Sequence, residues 1–102
     1  MAATILVVED EPAIQELISY SLRQAKHVVS SARNAEEAME LINNALPDLV
    51  LLDWMLPGMS GTEFARMLRR TTRTKTIPII ISKNISAFVC INTISIVKPI
   101  GN

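Results

Sequence analysis

The chain has 102 residues, of which 49% are hydrophobic, and its ten Lys and Arg residues balance ten Asp and Glu residues. This size and apolar content predict one small domain with a single core and exclude wholesale disorder. No run approaches the ~18 consecutive apolar residues of a membrane-spanning helix, and the first residues lack the basic start of a secretory signal. The single cysteine, Cys90, excludes an internal disulfide framework and is typical of a reducing compartment, so we expect a cytoplasmic protein.

The neutral total hides two halves of opposite charge. All ten acidic residues lie within residues 1–63, where three basic residues bring the charge to −7. Residues 64–102 hold the other seven basic residues and no acidic one, which gives +7. Basic residues between 66 and 75 lack interleaved aromatics, so we assign them to the C-terminal end of a helix rather than to nucleic-acid binding.

The first part of the chain alternates between strand and helix patterns. Residues 4–8 form an unbroken aliphatic run, which predicts a strand buried on both faces of a parallel sheet. Apolar residues at three- and four-residue steps predict a helix over 12–25, with Leu17 among the residues of its apolar face. A second strand is predicted over 27–31, with His27 as a side chain at the strand edge.

The same alternation continues through the middle of the chain. A capping-box pattern predicts a helix over 35–44. Four aliphatic residues, 49–52, predict a buried strand that ends on Asp53. A third helix is predicted over 62–70 and a fourth strand over 77–81. This order predicts an open α/β sandwich of parallel strands joined by right-handed crossovers.

Acidic residues follow two of the predicted strands. Glu9 and Asp10 follow the first strand, and Asp53 follows the third. Because the carboxyl ends of parallel strands open into one crevice, adjacent strands would bring the three carboxylates together. Two such charges ~5 Å apart repel by roughly 3 kcal/mol at an effective dielectric constant of ~20. Such a site must raise a pKa or bind a cation, and oxygen ligands of this kind suit Mg²⁺.

A carboxylate beside Mg²⁺ can also attack phosphorus and form an aspartyl phosphate. A site for this chemistry needs a hydroxyl and a lysine to contact the other phosphate oxygens. Ser82, which ends the fourth strand, and Lys98 are available for these two roles.

Three segments together resemble the receiver domain of bacterial two-component response regulators. They are residues 5–11 (ILVVEDE), 47–61 (PDLVLLDWMLPGMSG) and 77–81 (IPIII). The DWMLPG run is similar to that of the winged-helix transcription-factor branch, in particular its phosphate-regulon regulators. The resemblance covers residues 1–82 and the later pair of Lys98 and Pro99. It identifies residues 1–102 as a single receiver domain with an atypical, shortened segment at 83–102.

The resemblance implies a flavodoxin-like, doubly wound α/β fold with strand order 2-1-3-4-5. It implies a phosphoacceptor switch rather than an enzyme, with Mg²⁺ as cofactor and a sensor histidine kinase as partner. It also implies homodimer formation on phosphorylation, and DNA binding only through an output domain outside these residues. The residues that it assigns to the site are Asp53 as phosphoacceptor, Glu9, Asp10, Asp53 and the backbone carbonyl of Met55 as metal ligands, and Ser82 and Lys98 as contacts of the phosphoryl group.

Departures from the family pattern keep two alternatives open. Lys83 stands where the family has a small residue, Ser95 stands where it has an aromatic one, and the interval from Ser82 to Lys98 is short. These departures favour a receiver-like interaction module that does not transmit phosphorylation. The weaker alternative is a Mg²⁺-dependent phosphohydrolase of the haloacid-dehalogenase type, which needs an acid where Met55 stands.

Overall fold

The computed structural model describes residues 3–83. Its elements, in chain order, are β1 (Thr4–Val8), α1 (Pro12–Gln24), β2 (Val28–Ala32), α2 (Ala35–Asn44), β3 (Leu49–Asp53), α3 (Gly61–Arg70) and β4 (Ile79–Ser82). The strands pair in parallel in the order β2-β1-β3-β4. This confirms the predicted α/β fold and the first four positions of the predicted strand order. The predicted fifth strand lies outside the described residues, and so do Cys90 and Lys98.

β1 and β3 are buried on both faces because their aliphatic side chains alternate between two layers of helices. On one face, Ile18 and Leu22 of α1 pack in the same cluster as Val7. On the other face, α2 and α3 contribute Ile42 and Phe64. The two central strands are therefore held firmly, and their carboxyl ends lie side by side at one edge of the sheet. Within the described part of the chain, no helix is long and apolar enough to span a bilayer.

The predicted cap of α2 is present in part. The Asn34 side chain accepts a hydrogen bond of 2.9 Å from the backbone N–H of Glu37, as in a capping box. The Glu37 carboxylate accepts instead from the backbone N–H and the guanidinium of Arg33, at 2.8 and 3.1 Å. These bonds lower the pKa of Glu37. The complete capping box occurs at α3, between Ser60 and Glu63.

Two assignments from the sequence are wrong. Leu17 is 48% exposed, because it lies about 100° around the helix from Ile18, which faces the sheet. His27 is buried rather than at a strand edge. Lys26 adopts a left-handed conformation (φ 72°) at the end of α1, and His27 follows into the interior. There its Nδ1 accepts a 3.0 Å hydrogen bond from the backbone N–H of Ala3.

Two basic residues, one in the last turn of α3 and one shortly after it, donate hydrogen bonds to backbone carbonyls. The Arg69 guanidinium donates to the carbonyl oxygens of Lys75 and Ile77, at 3.0 and 2.7 Å. That of Arg73 donates to the carbonyl of Asn43 at 3.4 Å. Arg69 lies in the last turn of α3, where a cation also interacts favourably with the negative end of the helix dipole. These contacts favour the helix-end role predicted for this basic segment.

Candidate metal site

Three carboxylates meet where β1 and β3 end. Glu9 and Asp10 directly follow β1, and Asp53 is the last residue of β3, the strand that pairs with β1. Each offers an oxygen, and these three oxygens lie within 4.8 Å of one another. Glu11, the N-cap of α1, makes no side-chain capping bond, and the first turn of α1 carries no acid. The predicted convergence of Glu9, Asp10 and Asp53 is present.

Glu9 carries the electrostatic cost of this arrangement. Its side chain is almost fully buried, with 4% of the residue exposed. Burial raises the pKa of the Glu9 carboxyl from its ordinary 4.5 to about 7, and the nearby Asp53 carboxylate adds to the rise. The backbone N–H of Glu11 opposes this effect by donating 2.9 Å to Glu9 Oε2. A cation that binds beside such a buried acid stabilises its ionised form.

Among residues 3–83, no basic side chain forms an ion pair within 4.0 Å with a carboxylate of the cluster. The ion pair found in this part of the chain joins Arg33 to Glu37 at the start of α2. The available donors are oxygens, which hard divalent cations prefer, and they include both a buried and a more exposed carboxylate. The chemistry of this donor set fits Mg²⁺ or Mn²⁺, and Mg²⁺ in such sites usually retains several water ligands.

The Gln15 side chain contacts the backbone beneath Glu9, and the apolar periodicity did not predict this role. Its side-chain amide lies 3.2 Å from the carbonyl oxygen of Val7, 3.3 Å from that of Glu9 and 3.2 Å from that of Ala32. The Ser19 hydroxyl donates to Gln15 Oε1 at 3.2 Å. One helical side chain thus joins α1 to the carboxyl ends of β1 and β2 and holds the backbone that carries Glu9.

Asp53 is the acid of the cluster that lies within a strand. It is half-buried, and its Oδ1 accepts a 3.2 Å hydrogen bond from the backbone N–H of Met55. Ser82 is its register partner on β4, so the predicted hydroxyl residue stands beside the predicted phosphoacceptor. The Met55 side chain is 72% exposed and packs little. Lys98, the remaining predicted site residue, lies outside the described residues.

Gly61 keeps the loop after Asp53 close to the site. Its N–H donates 3.1 Å to the carbonyl of Trp54, which closes the loop onto the start of α3. A Cβ at this position would overlap the carbonyl oxygen of Asp53 and lie 3.3 Å from the Trp54 Cα. The close backbone approach requires glycine here. α3 begins at this glycine, one residue before the start predicted from the sequence.

Trp54 and Lys83 form the rim of the site. The indole is 41% exposed, and the Lys83 ammonium lies 4.3 Å from the centroid of its ring. The backbone N–H of Trp54 donates a 3.0 Å hydrogen bond to the carbonyl of Ser82, so the segments that follow β3 and β4 leave the sheet side by side. Lys83, a departure from the family pattern, directly follows the register partner of Asp53 along the chain.

The chain matches one protein family and several curated relatives. The model of the response regulator receiver domain matches residues 5–96. The phosphate regulon transcriptional regulatory protein PhoB of Pseudomonas aeruginosa is 49% identical over 77 residues, which are 76% of this chain and 34% of that protein. The chain thus spans about a third of the length of this relative.

Solved structures give the same result. The chemotaxis response regulator CheY4 of Vibrio cholerae superposes with a TM-score of 0.75 at 30% identity, over 79% of this chain and 68% of CheY4. The Mn²⁺-bound form of the response regulator Rcp1 has a TM-score of 0.71 at 26% identity, over 84% of this chain and 73% of Rcp1. The predicted resemblance, including that to phosphate-regulon regulators, is confirmed.

Proposed function

Because the chain belongs to the response regulator receiver domain family, we propose that it is a phosphoacceptor switch in which Asp53 receives a phosphoryl group from a phosphohistidine of a sensor kinase. The observation that carries this proposal is the meeting of Glu9, Asp10 and Asp53 at the ends of two adjacent strands. Family members of this kind are signalling switches rather than classical enzymes. The kinase, and any control of transcription through an output domain, are part of the proposal.

The choice of Asp53 among the three acids follows from access and hydrogen bonding. Glu9 is 4% exposed, and one of its oxygens already accepts from the N–H of Glu11. Asp10 is exposed and lies two residues beyond the end of β1. Asp53 is half-buried at the end of a strand whose other residues are buried, so its carboxylate is both fixed and reachable. A nucleophile needs both properties.

Glu9, Asp10, Asp53 and the backbone carbonyl of Met55 would hold one Mg²⁺. The oxygen-only donor set and the raised pKa of Glu9 support this assignment. The Mn²⁺-bound structure of Rcp1 is consistent with a divalent cation in a related protein. When bound, the cation would neutralise negative charge on the oxygens of the phosphoryl group that is transferred.

The chain's own residues then have separate roles in the transfer. A carboxylate oxygen of Asp53 attacks phosphorus and forms an O–P bond, while the P–N bond to the donor histidine breaks and its electron pair returns to the imidazole nitrogen. The backbone N–H of Met55 donates to Oδ1 of Asp53 and holds the carboxylate in place. Ser82, the neighbour of Asp53 across the strand pair, would donate its hydroxyl hydrogen to a phosphoryl oxygen, and Lys98 would pair with another.

The test is direct phosphorylation with a small donor. Incubation with Mg²⁺ and phosphoramidate should add one phosphoryl group to the parent chain, measured by intact-protein mass spectrometry, and Asp53→Asn should remain unlabelled. Asp48→Asn is the matched control, because Asp48 lies away from the cluster and accepts from the Thr4 N–H, a bond that Asn retains. Labelling of Asp53→Asn to the same extent as the parent would exclude the assignment. Loss of labelling without Mg²⁺ would support the metal site.

Phosphorylation should also change self-association, as the homodimer prediction requires. Light scattering before and after labelling measures this change. An unchanged monomer–dimer distribution on a fully phosphorylated chain would favour the receiver-like interaction module instead.

A further inference from the structure

Lys83 is the basic side chain that the structure describes at the rim of the acidic site. It directly follows Ser82, whose register partner is Asp53, and its ammonium lies 4.3 Å from the centroid of the Trp54 ring. Paired strands are about 4.8 Å apart and consecutive Cα atoms about 3.8 Å apart, so the Cα atoms of Lys83 and Asp53 are separated by roughly 6 Å. The four-carbon stem of a lysine covers that distance.

The contact on Trp54 leaves the ammonium free to move. Among residues 3–83, none of the carboxylates lies within 4.0 Å of Lys83. A cation–π contact at an exposed ring is weak, and Lys83 and Trp54 are both exposed. A phosphoryl group on Asp53 would bring additional negative charge and acceptor oxygens within the reach of the Lys83 side chain. The stronger attraction would then draw Lys83 from the indole to the phosphoryl group.

We propose that Lys83 is an anion-gathering residue of this site, which rests on Trp54 in the unphosphorylated chain and pairs with the phosphoryl group once Asp53 carries it. This inference rests on the proposed function of Asp53 and adds a residue to it. Lys83 also attracts small anionic phosphodonors to the site mouth, since a cation beside a reaction site raises the local concentration of anions.

Trp54 provides the readout, because it is the only tryptophan in the sequence. Its emission would change when the ammonium leaves the ring. The experiment compares the parent chain with Lys83→Met, which keeps an unbranched stem over the indole without the charge, and with Lys83→Arg, which keeps the charge. Lys75→Met is the matched surface control, because Lys75 is exposed and contributes only its backbone carbonyl to the contact with Arg69.

Each protein is first equilibrated with Mg²⁺, and phosphoramidate is then added, so that the recorded emission change belongs to phosphorylation alone. We expect the parent, Lys83→Arg and Lys75→Met to show the emission change and similar labelling rates. Lys83→Met should lose most of the change and label about threefold to tenfold more slowly, with a weaker dependence on salt.

Two results would overturn the inference while the proposed function stands. In the first, the parent is labelled at Asp53 and Lys83→Met equals it in rate and emission change. In the second, Lys83→Arg fails to restore either quantity, which would assign Lys83 a role in packing rather than in charge. Absence of labelling in the parent chain would overturn the proposed function and this inference together.

Discussion

Replacing Glu9 by Gln should stabilise the metal-free protein at neutral and alkaline pH. The pKa of the buried Glu9 carboxyl is raised from 4.5 to about 7. Between these two values the folded protein holds a proton that the unfolded chain has released, so the free energy of unfolding falls as pH rises through this window. Gln has nearly the same shape, does not titrate, and keeps an oxygen that accepts from the N–H of Glu11. Glu9→Gln should therefore lose most of this pH dependence.

The size of the effect follows from the size of the pKa shift. A shift from 4.5 to about 7 corresponds to about 3 kcal/mol at about 1.4 kcal/mol per unit. Solvent screening at the open side of the cluster reduces this value. We therefore expect the free energy of unfolding of Glu9→Gln to exceed that of the parent by about 1–3 kcal/mol at about pH 8. Near the lower end of the window the two proteins should be equally stable. Mg²⁺ should narrow the difference at about pH 8, because it binds the folded parent through Glu9.

Urea unfolding at about pH 5 and about pH 8, with and without Mg²⁺, measures these differences. Glu16→Gln is the control, because Glu16 is an exposed acid on α1 outside the cluster; it should keep the pH dependence of the parent. If Glu9→Gln retained the full fall in stability between about pH 5 and about pH 8, the burial of Glu9 could not be its cause.

Three further substitutions test the surroundings of the site by urea unfolding. In Gly61→Ala the added Cβ would overlap the Asp53 carbonyl oxygen. This variant should lose about 2 kcal/mol or more of its free energy of unfolding and should be phosphorylated more slowly by phosphoramidate. Unchanged stability would contradict the close approach. Gln15→Met leaves the carbonyl of Glu9 without its side-chain donor and should cost about 1–3 kcal/mol, with weaker Mg²⁺ binding by calorimetry. His27→Leu removes the acceptor of the Ala3 N–H and should cost about 1–3 kcal/mol; a neutral result would mean that water replaces it.

The acidic cluster could be predicted because each acid lies at the carboxyl end of a strand with a clear aliphatic pattern. β1 and β3 are aliphatic without alternation, which identifies them as central strands of a parallel sheet, and such strands have neighbouring carboxyl ends. The convergence of Glu9, Asp10 and Asp53 follows from that topology. No contact between individual side chains needs to be known in advance.

The supporting contacts could not be predicted because they join residues that are distant in the sequence. Gln15 bonds a carbonyl 17 residues away, and His27 accepts from a backbone N–H 24 residues away. Both side chains are polar, so the periodicity of apolar residues carries no information about them. Leu17 shows the opposite failure, since it fits the apolar period of α1 but is 48% exposed. A period fixes which residues share a face, whereas the facing element decides how wide the buried stripe is.

The central claim, that Asp53 is the phosphoacceptor, is tested most directly by reductive trapping in the unmodified chain. The protein is labelled with phosphoramidate in the presence of Mg²⁺ and treated with borohydride, which converts an aspartyl phosphate to homoserine, and peptide mass spectrometry then locates the altered residue. We predict homoserine in place of Asp53, with Glu9 and Asp10 unaltered. Homoserine in place of Asp10, or a phosphorylated chain without any trapped aspartate, would contradict the assignment.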